Sequence, residues 1–153
     1  MRFIFVFVGF FSGCSESEKD TASESVSTEV FVPTEGDWDL LVRPGENDCD
    51  FSDDELSVAV LTTTTGGFTF LVDKDATEDD TVPSFSCALS DTAFACDEYR
   101  FQQSQGSNTF TQVINFSGSF TDENTMTGEA DFSMSSGGQN CSGIMNLSAT
   151  ALQ

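Results

Sequence analysis

A short acidic run contains the residues whose types and spacing could hold a metal ion. Residues 73–80 read DKDATEDD, which places carboxylates at Asp73, Asp75 and Asp79. Oxygen ligands at alternate positions suit a hard cation such as Ca²⁺. The run differs from an EF-hand loop, because its sixth position is Glu78 where such a loop needs Gly. We predict a solvated turn between strands, and weak Ca²⁺ binding through these three aspartates is the alternative.

A second acidic run, residues 48–55 (DCDFSDDE), has the same interpretation, and the two runs belong to a strongly acidic chain. The 153 residues include 26 Asp and Glu against five Lys and Arg, a formal net charge of −21. This charge favours solubility and repels phosphates and anionic lipid headgroups. We therefore expect no nucleic-acid partner and no membrane binding through protein charge.

Catalytic chemistry has little support in the composition. The chain has no His, so it lacks the commonest general base and the commonest transition-metal ligand. Serines are plentiful, but none lies in a Gly-x-Ser-x-Gly elbow. Pairs of carboxylates could hydrolyse glycosides, yet 26 acids make close pairs expected by chance. We predict that the protein is not an enzyme and that it uses no cofactor.

The amino terminus has the pattern of an export signal. Met1-Arg2 supplies positive charge, and residues 3–11 are apolar except for Gly9. Nine residues are too few for a membrane-spanning helix, which needs about 20, but they suit the hydrophobic part of a secretory signal. The run ends in FSGC at residues 11–14, which resembles the lipobox of bacterial lipoproteins. In that family the chain is cut before the Cys and the thiol carries lipid, which implies acylation, for example by palmitate, at Cys14.

The residues after Cys14 fit a tether to a membrane. Residues 15–29 (SESEKDTASESVSTE) are almost entirely polar and cannot bury enough apolar surface to fold. The lipoprotein resemblance then divides the chain into a signal peptide (1–13), an acylated Cys with its tether (14–35) and one folded domain (36–153). It implies export to the outer membrane of a Gram-negative bacterium, on the cell surface or the periplasmic face, with the membrane as a partner through Cys14. An ordinary signal peptide with an incidental Cys14 is the alternative.

The four remaining cysteines predict two disulfides, as is usual in an exported chain. Three pairings are possible among Cys49, Cys87, Cys96 and Cys141. Cys87 and Cys96 flank a predicted hairpin, and each lies on the apolar face of its strand, so we expect them to pair. Cys49 would then join Cys141 and close a long loop. Zinc binding is disfavoured, because the chain has neither a Cys-x-x-Cys pair nor a His.

From residue 36 onward, apolar residues alternate with polar ones, which is the pattern of half-buried strands. We predict strands near residues 38–42, 56–60, 68–72, 85–89, 92–97, 110–120, 124–134 and 141–151, with 99–103 continuing the fifth strand or starting another. Pro44-Gly45 is expected to end the first strand, and Leu56, Val58 and Val60 are expected to face the core. About eight strands with short connections indicate an all-β antiparallel meander closed into a small barrel. A two-sheet β-sandwich is the alternative.

The residues Gly36-Asp37-Trp38 at the start of the first strand resemble the Gly-x-Trp signature of lipocalins. In that family the Trp plugs one end of an eight-stranded barrel. The last predicted strand lacks the Arg that covers this Trp in lipocalins, and no helix follows it. The resemblance implies a lipocalin-like barrel with a mouth that could hold a small apolar ligand.

Two functions remain open at this point. The first is a lipid-anchored, lipocalin-like binder of a small apolar molecule. The second is a structural or interaction module of the envelope, with a packed core and an envelope protein as its partner. Seven predicted inward residues favour a packed interior: Phe68, Phe70, Phe110, Phe116, Phe120, Phe132 and Met134. An interior cavity above about 300 Å³ would favour the binder.

Overall fold

A computed structural model describes residues 30–75 and 82–153 of the chain. The described residues form nine strands: β1 (Gly36–Asn47), β2 (Glu55–Thr64), β3 (Gly67–Leu71), β4 (Ser84–Ser90), β5 (Ala93–Cys96), β6 (Tyr99–Gln105), β7 (Asn108–Asp122), β8 (Thr125–Ser136) and β9 (Gln139–Ala151). No described residue is helical, and no helix here is long and apolar enough to cross a membrane.

All nine strands belong to one antiparallel sheet in the order β5-β4-β3-β2-β1-β9-β8-β7-β6. β5 also pairs with β7, and this pairing closes eight of the strands into a barrel. Closure gives the strand edges hydrogen-bonding partners within the chain. The predicted all-β meander with a lipocalin-like closed barrel is therefore confirmed, and the chain does not form the alternative sandwich.

β6 is a separate strand that lies outside the closed barrel. It follows β5 along the same edge of β7: Ala93 pairs with Ser119, and Tyr99 pairs with Ile114 further along the strand. β4 pairs with β5 only as far as Cys87 opposite Cys96, so β6 has left the barrel wall. The described part of the chain thus has one strand more than the barrel needs.

The expected end of the first strand at Pro44-Gly45 is wrong. β1 continues to Asn47, and Pro44 pairs with Met145 of β9. The register shifts between Pro44 and Asn47, which marks a β-bulge. Proline has no amide hydrogen to donate to the ladder, and an irregularity of this kind accommodates it.

The predicted inward face of the second strand is also wrong. Ala59 and Leu61 are fully buried, whereas Leu56 is 78% exposed and Val58 and Val60 are only partly covered. Ala59 lies directly opposite Trp38 on β1, and paired residues share a face of the sheet. The bulk of Trp38 therefore has a small residue beside it, and the valines face outward.

The barrel is filled by one hydrophobic core. Its buried residues are mainly aromatic and aliphatic: Trp38, Leu40, Ala59, Leu61, Phe68, Phe70, Phe85, Cys87, Phe94, Ile114, Phe116, Phe120, Met126, Ala130, Phe132, Leu147, Ala149 and Ala151. Two facing glycines make room for the large rings. A Cβ atom on Gly118 would come within 2.7 Å of Phe94, and one on Gly128 within 2.5 Å of Phe116.

Candidate functional site

The barrel interior is the first place to look for a ligand site, and it is occupied by the protein's own side chains. The Phe120 ring centroid lies 6.1 Å from that of Trp38, 5.4 Å from that of Phe68 and 5.4 Å from that of Phe94. No polar or charged residue among the described ones is buried. The interior therefore offers no hydrogen-bonding group that could orient a polar ligand.

One end of the barrel is covered by the segment that leads into β1, residues 30–35, which we call the cap segment. The Trp38 indole Nε1 donates a hydrogen bond to the Thr34 carbonyl oxygen at 3.0 Å. Thr34 in turn donates through its amide to the Glu123 carbonyl at 2.8 Å and through its hydroxyl to Asn124 Oδ1 at 2.7 Å. Phe31 packs on Phe120, with ring centroids 5.3 Å apart. This end is closed.

A groove of about 360 Å³ runs beside the cap segment. It is lined by Val30, Phe31 and Val32 of the cap segment, by the β2–β3 turn and by Leu89 with the β4–β5 turn. The groove is open to solvent, and Val30 and Val32 are 81% and 55% exposed. It is a surface groove at the closed end and does not enter the barrel.

At the opposite end, Asn47 organises the loop between β1 and β2. Its Oδ1 accepts hydrogen bonds from the amides of Cys49 and Phe51, both at 3.1 Å. Its Nδ2 donates to the carbonyl oxygens of Gly45 and Phe51. Phe51 then lies over the mouth of the barrel, with its ring centroid 5.6 Å from that of Phe132.

One of the depressions at this end, beside Phe51, is small. It measures about 240 Å³, and its apolar lining comes from Val42, Phe51 and Met145. Asp50, Asp53 and Glu55 form an acidic rim. Its volume lies below the lower range of small-molecule pockets, about 300 Å³.

The two disulfides join the pairs expected from the sequence. Cys87 pairs with Cys96 across β4 and β5, and Cys49 pairs with Cys141 across a sequence separation of 92. Asp48 lies beside the second bond, where its carboxylate accepts a hydrogen bond from the Ser142 amide. The Asp48 amide donates to the Ser142 carbonyl at 3.0 Å.

Within residues 30–75 and 82–153, one group of three potential metal ligands lies close together: Asp48, Cys49 and Cys141. Both sulfurs are in a disulfide and cannot act as thiolate ligands. The Asp48 carboxylate is already hydrogen-bonded to Ser142. This group is therefore a structural connection between β9 and the loop after β1.

Of the first acidic run, the structure describes only Asp73, Lys74 and Asp75, and these three residues form a turn. Asp73 Oδ1 accepts a hydrogen bond from the Asp75 amide at 3.0 Å. Between them, Lys74 Nζ lies 3.0 Å from Asp37 Oδ2. The hydrogen bond to Asp37 and the negative charge of that carboxylate raise the pKa of Lys74. Asp79 lies outside the described residues, as does Cys14.

Tyr99, at the start of β6, is the only tyrosine in the chain. Its ring centroid lies 6.0 Å from that of Phe85, and its partial burial raises the pKa of the phenol. It joins the extra strand to the core.

Comparison of the chain with protein-family models, with curated proteins and with solved structures finds no match. The closed eight-stranded barrel is consistent with the lipocalin-like fold expected from the sequence.

Sequence reasoning missed two residues that cover the ends of the barrel. Phe31 lies in the predicted tether, 14–35, but it packs on Phe120 as part of the domain. Phe51 lies in an acidic run, yet it covers Phe132 at the mouth. The available signals were the apolar triplet Val30-Phe31-Val32 at the end of a polar segment and the isolated Phe51 in an acidic run.

Proposed function

We propose that the protein is a lipid-anchored envelope module that acts through its outer surface and does not carry a small ligand. The observation that supports this most strongly is the filled barrel, in which Trp38, Phe68 and Phe120 occupy the space that a ligand would need. A barrel of eight strands has room for side chains or for one small ligand. Here the side chains take that room.

The lipid anchor is supported by the sequence before the domain. The FSGC motif at residues 11–14 follows an apolar run, and fifteen mostly polar residues separate Cys14 from the cap segment. Two disulfides are typical of a protein exported to an oxidising compartment. One acyl chain binds a membrane only marginally, so stable anchoring requires two or three.

In this proposal the closed end of the barrel faces the membrane. The tether joins the domain at Val30, and Val30 lies at the closed end. The mouth and the β6–β7 hairpin then point away from the bilayer. The net charge of −21 would keep the barrel wall off an anionic surface.

Labelling with radioactive palmitate tests the anchor. Wild-type protein should incorporate label and partition into detergent, whereas Cys14→Ala should do neither. Ser15→Ala is the matched control, because it changes the neighbouring residue and leaves the thiol in place. Absence of label from wild type and Cys14→Ala alike would refute the anchor.

Binding of a small apolar ligand at the mouth is the second candidate, favoured by the apolar lining of the 240 Å³ depression. A fluorescent fatty acid is a suitable probe. We expect no saturable binding. Saturable binding that Met145→Glu abolishes, while the control Val32→Glu at the other end leaves it intact, would favour the ligand-binding function over the one we propose.

A further inference from the structure

The acidic residues are distributed very unevenly along the chain. Residues 99–121 and 132–153 contain no Asp and no Glu, although the chain has 26. The sheet brings these two stretches together, because β7 pairs with both β6 and β8, and β8 pairs with β9. Residues 99–105, 108–114, 132–136 and 139–143 thus form a four-stranded patch, which we call the neutral wing. Its single charged residue is Arg100.

The neutral wing ends in a strand edge. Among the described residues, β6 pairs with β7 and with no other strand. Gln105 lies opposite Asn108 around the two-residue turn Gly106-Ser107, and such a closing pair exchanges hydrogen bonds. Hydrogen-bonded pairs alternate along the ladder, so Gln103 also bonds to β7. Arg100, Gln102 and Ser104 therefore direct their amides and carbonyls away from β7, to the open side.

This edge lacks the features that normally prevent pairing with another chain. Exposed edges in natural sheets are commonly blocked by proline, by a bulge or by charged side chains. β6 has no proline, no acidic residue and an unbroken register with β7. Its one charge, on Arg100, is paired with Glu98 at 3.1 Å.

We propose that β6 pairs antiparallel with β6 of a second copy of the chain, about a two-fold axis at Gln102. In this register Gln102 faces Gln102 of the partner and Arg100 faces the partner's Ser104. Each of the three pairs exchanges two hydrogen bonds, and the two barrels share one continuous sheet. A self-complementary contact of this kind is the commonest form of homodimer.

Charge is the reason for choosing a second copy as the occupant. Two molecules that each carry a formal charge of −21 repel one another wherever their acids face. The neutral wing itself contains no Asp or Glu, so two copies can meet on it with the flanking carboxylates of Glu98 and Asp48 nearby. The dimer deepens the proposed function, because it gives the envelope module a partner in a second copy of itself. It rests on the proposed function in one respect: the lipid anchor would concentrate the copies on one membrane.

Site-specific photocrosslinking in cells tests the contact in the full chain. A photoreactive benzoylphenylalanine at Gln102 should crosslink two copies, and peptide mapping should find residues 98–106 of the second copy. The same probe at Glu129, an exposed acid on β8, is the control and should give no crosslink between copies. The experiment is repeated in Cys14→Ala, so that its result does not depend on the palmitate result.

Variants at Gln102 establish whether strand pairing causes the crosslink, with the photoreactive residue moved to Ser104. Gln102→Pro removes an amide that does not bond to β7, so the barrel should keep its melting temperature while crosslinking falls roughly tenfold or more. Gln102→Thr keeps the amide and should crosslink like the parent. Gln102→Glu and Gln102→Lys should each crosslink poorly alone and should recover when co-expressed, because opposite charges then face each other.

Absence of any crosslink at Gln102 in wild type would overturn the proposal, even if palmitate labels Cys14. So would a crosslink that Gln102→Pro leaves unchanged, since the contact would then not use the β6 edge. If Gln102→Pro lowers the melting temperature of the barrel, a weaker crosslink is no longer specific to the β6 edge. The co-expressed Gln102→Glu and Gln102→Lys variants then test whether the two β6 strands pair. Failure of the co-expressed pair to recover would also refute the two-fold register.

Discussion

The two ends of the barrel are closed by different means. At the closed end, Trp38 is fully buried, and the cap segment lies over it, with Thr34 accepting a hydrogen bond from Trp38 and donating one to Glu123. At the mouth, Phe51 remains 40% exposed on a loop held by Asn47 and by the disulfide from Cys49. Apolar burial therefore stabilises the first end, whereas local hydrogen bonds and a covalent crosslink stabilise the second.

The difference follows from the composition of the two covering segments. The cap segment supplies Phe31 to the core and hydrogen-bonds to the β7–β8 turn. The loop over the mouth contains Asp48, Asp50, Asp53 and Asp54, which gain nothing from burial. A segment rich in carboxylates can be held in place only through its few apolar residues, its backbone and its cysteine.

Truncation of the aromatic residue at each end should measure this contrast. Trp38→Ala should lower the free energy of unfolding by about 4 kcal/mol, because it leaves a large cavity in a closed core. Phe51→Ala should cost about 1 kcal/mol, since the ring is partly exposed in the folded protein. Denaturant titration followed by circular dichroism suits both variants, because Trp38 is the only tryptophan. Equal losses would contradict the contrast between the ends.

Removing each disulfide in turn should show that the long-range bond stabilises the folded protein more than the short-range bond does. The sequence separation is 92 for Cys49–Cys141 and 9 for Cys87–Cys96. The chain-entropy relation then gives about 4.5 and about 2.5 kcal/mol of stabilisation, a difference of about 2 kcal/mol. The double variants Cys49→Ala/Cys141→Ala and Cys87→Ala/Cys96→Ala should therefore differ in denaturation midpoint. The reverse order would mean that packing around the buried Cys87 outweighs loop closure.

Calcium should have the smallest effect, because the acidic runs are expected to be solvated. A preformed site at 100-fold excess of ion over its dissociation constant would add about 2.7 kcal/mol. For a domain of this size that is roughly a 10 °C rise in melting temperature. We expect rises of about 1–2 °C, equal for Ca²⁺ and Mg²⁺ at matched ionic strength, from screening alone.

The ions are compared in thermal melts at about 2 mM each, a concentration that would nearly saturate a site of micromolar affinity. Asp75→Asn and Asp79→Asn are the variants, and Asp91→Asn on another turn is the control. A large rise that is selective for Ca²⁺ and lost in either variant would establish the first acidic run as a site.

The alternation of apolar and polar residues predicted the long strands well. It failed to predict the buried face where both faces of a strand are apolar. In β7 and β8 the expected inward residues Phe116, Phe120 and Phe132 are buried. In β2, however, Leu56, Val58 and Val60 alternate with Ala59 and Leu61, and either set could have faced the core. A shift of one residue in the pairing register exchanges the buried and exposed faces of a strand, so the sequence pattern alone could not decide which face of β2 is buried.

Phe110 is a second case in which position in the fold overrode pattern. It shares a face with Phe116 and was expected inside the barrel. The structure places it on the neutral wing, opposite Gln103 and near Phe101, beyond the point where β5 and β7 close the wall. The length of the closed section depends on where β4 and β5 end, which the residues of β7 do not encode.

The sequence by itself determined the strand content, the antiparallel meander, the two disulfide pairs and the position of Trp38 at the start of the first strand. Each of these depends on local alternation, on turn residues or on a small number of possible pairings. Only the tertiary structure decided which face of β2 is buried, that β6 lies outside the barrel, and that Phe31 and Phe51 cover its two ends. These features depend on contacts between residues far apart in the chain, such as Trp38 with Ala59 and Phe31 with Phe120, and on the volume those side chains fill.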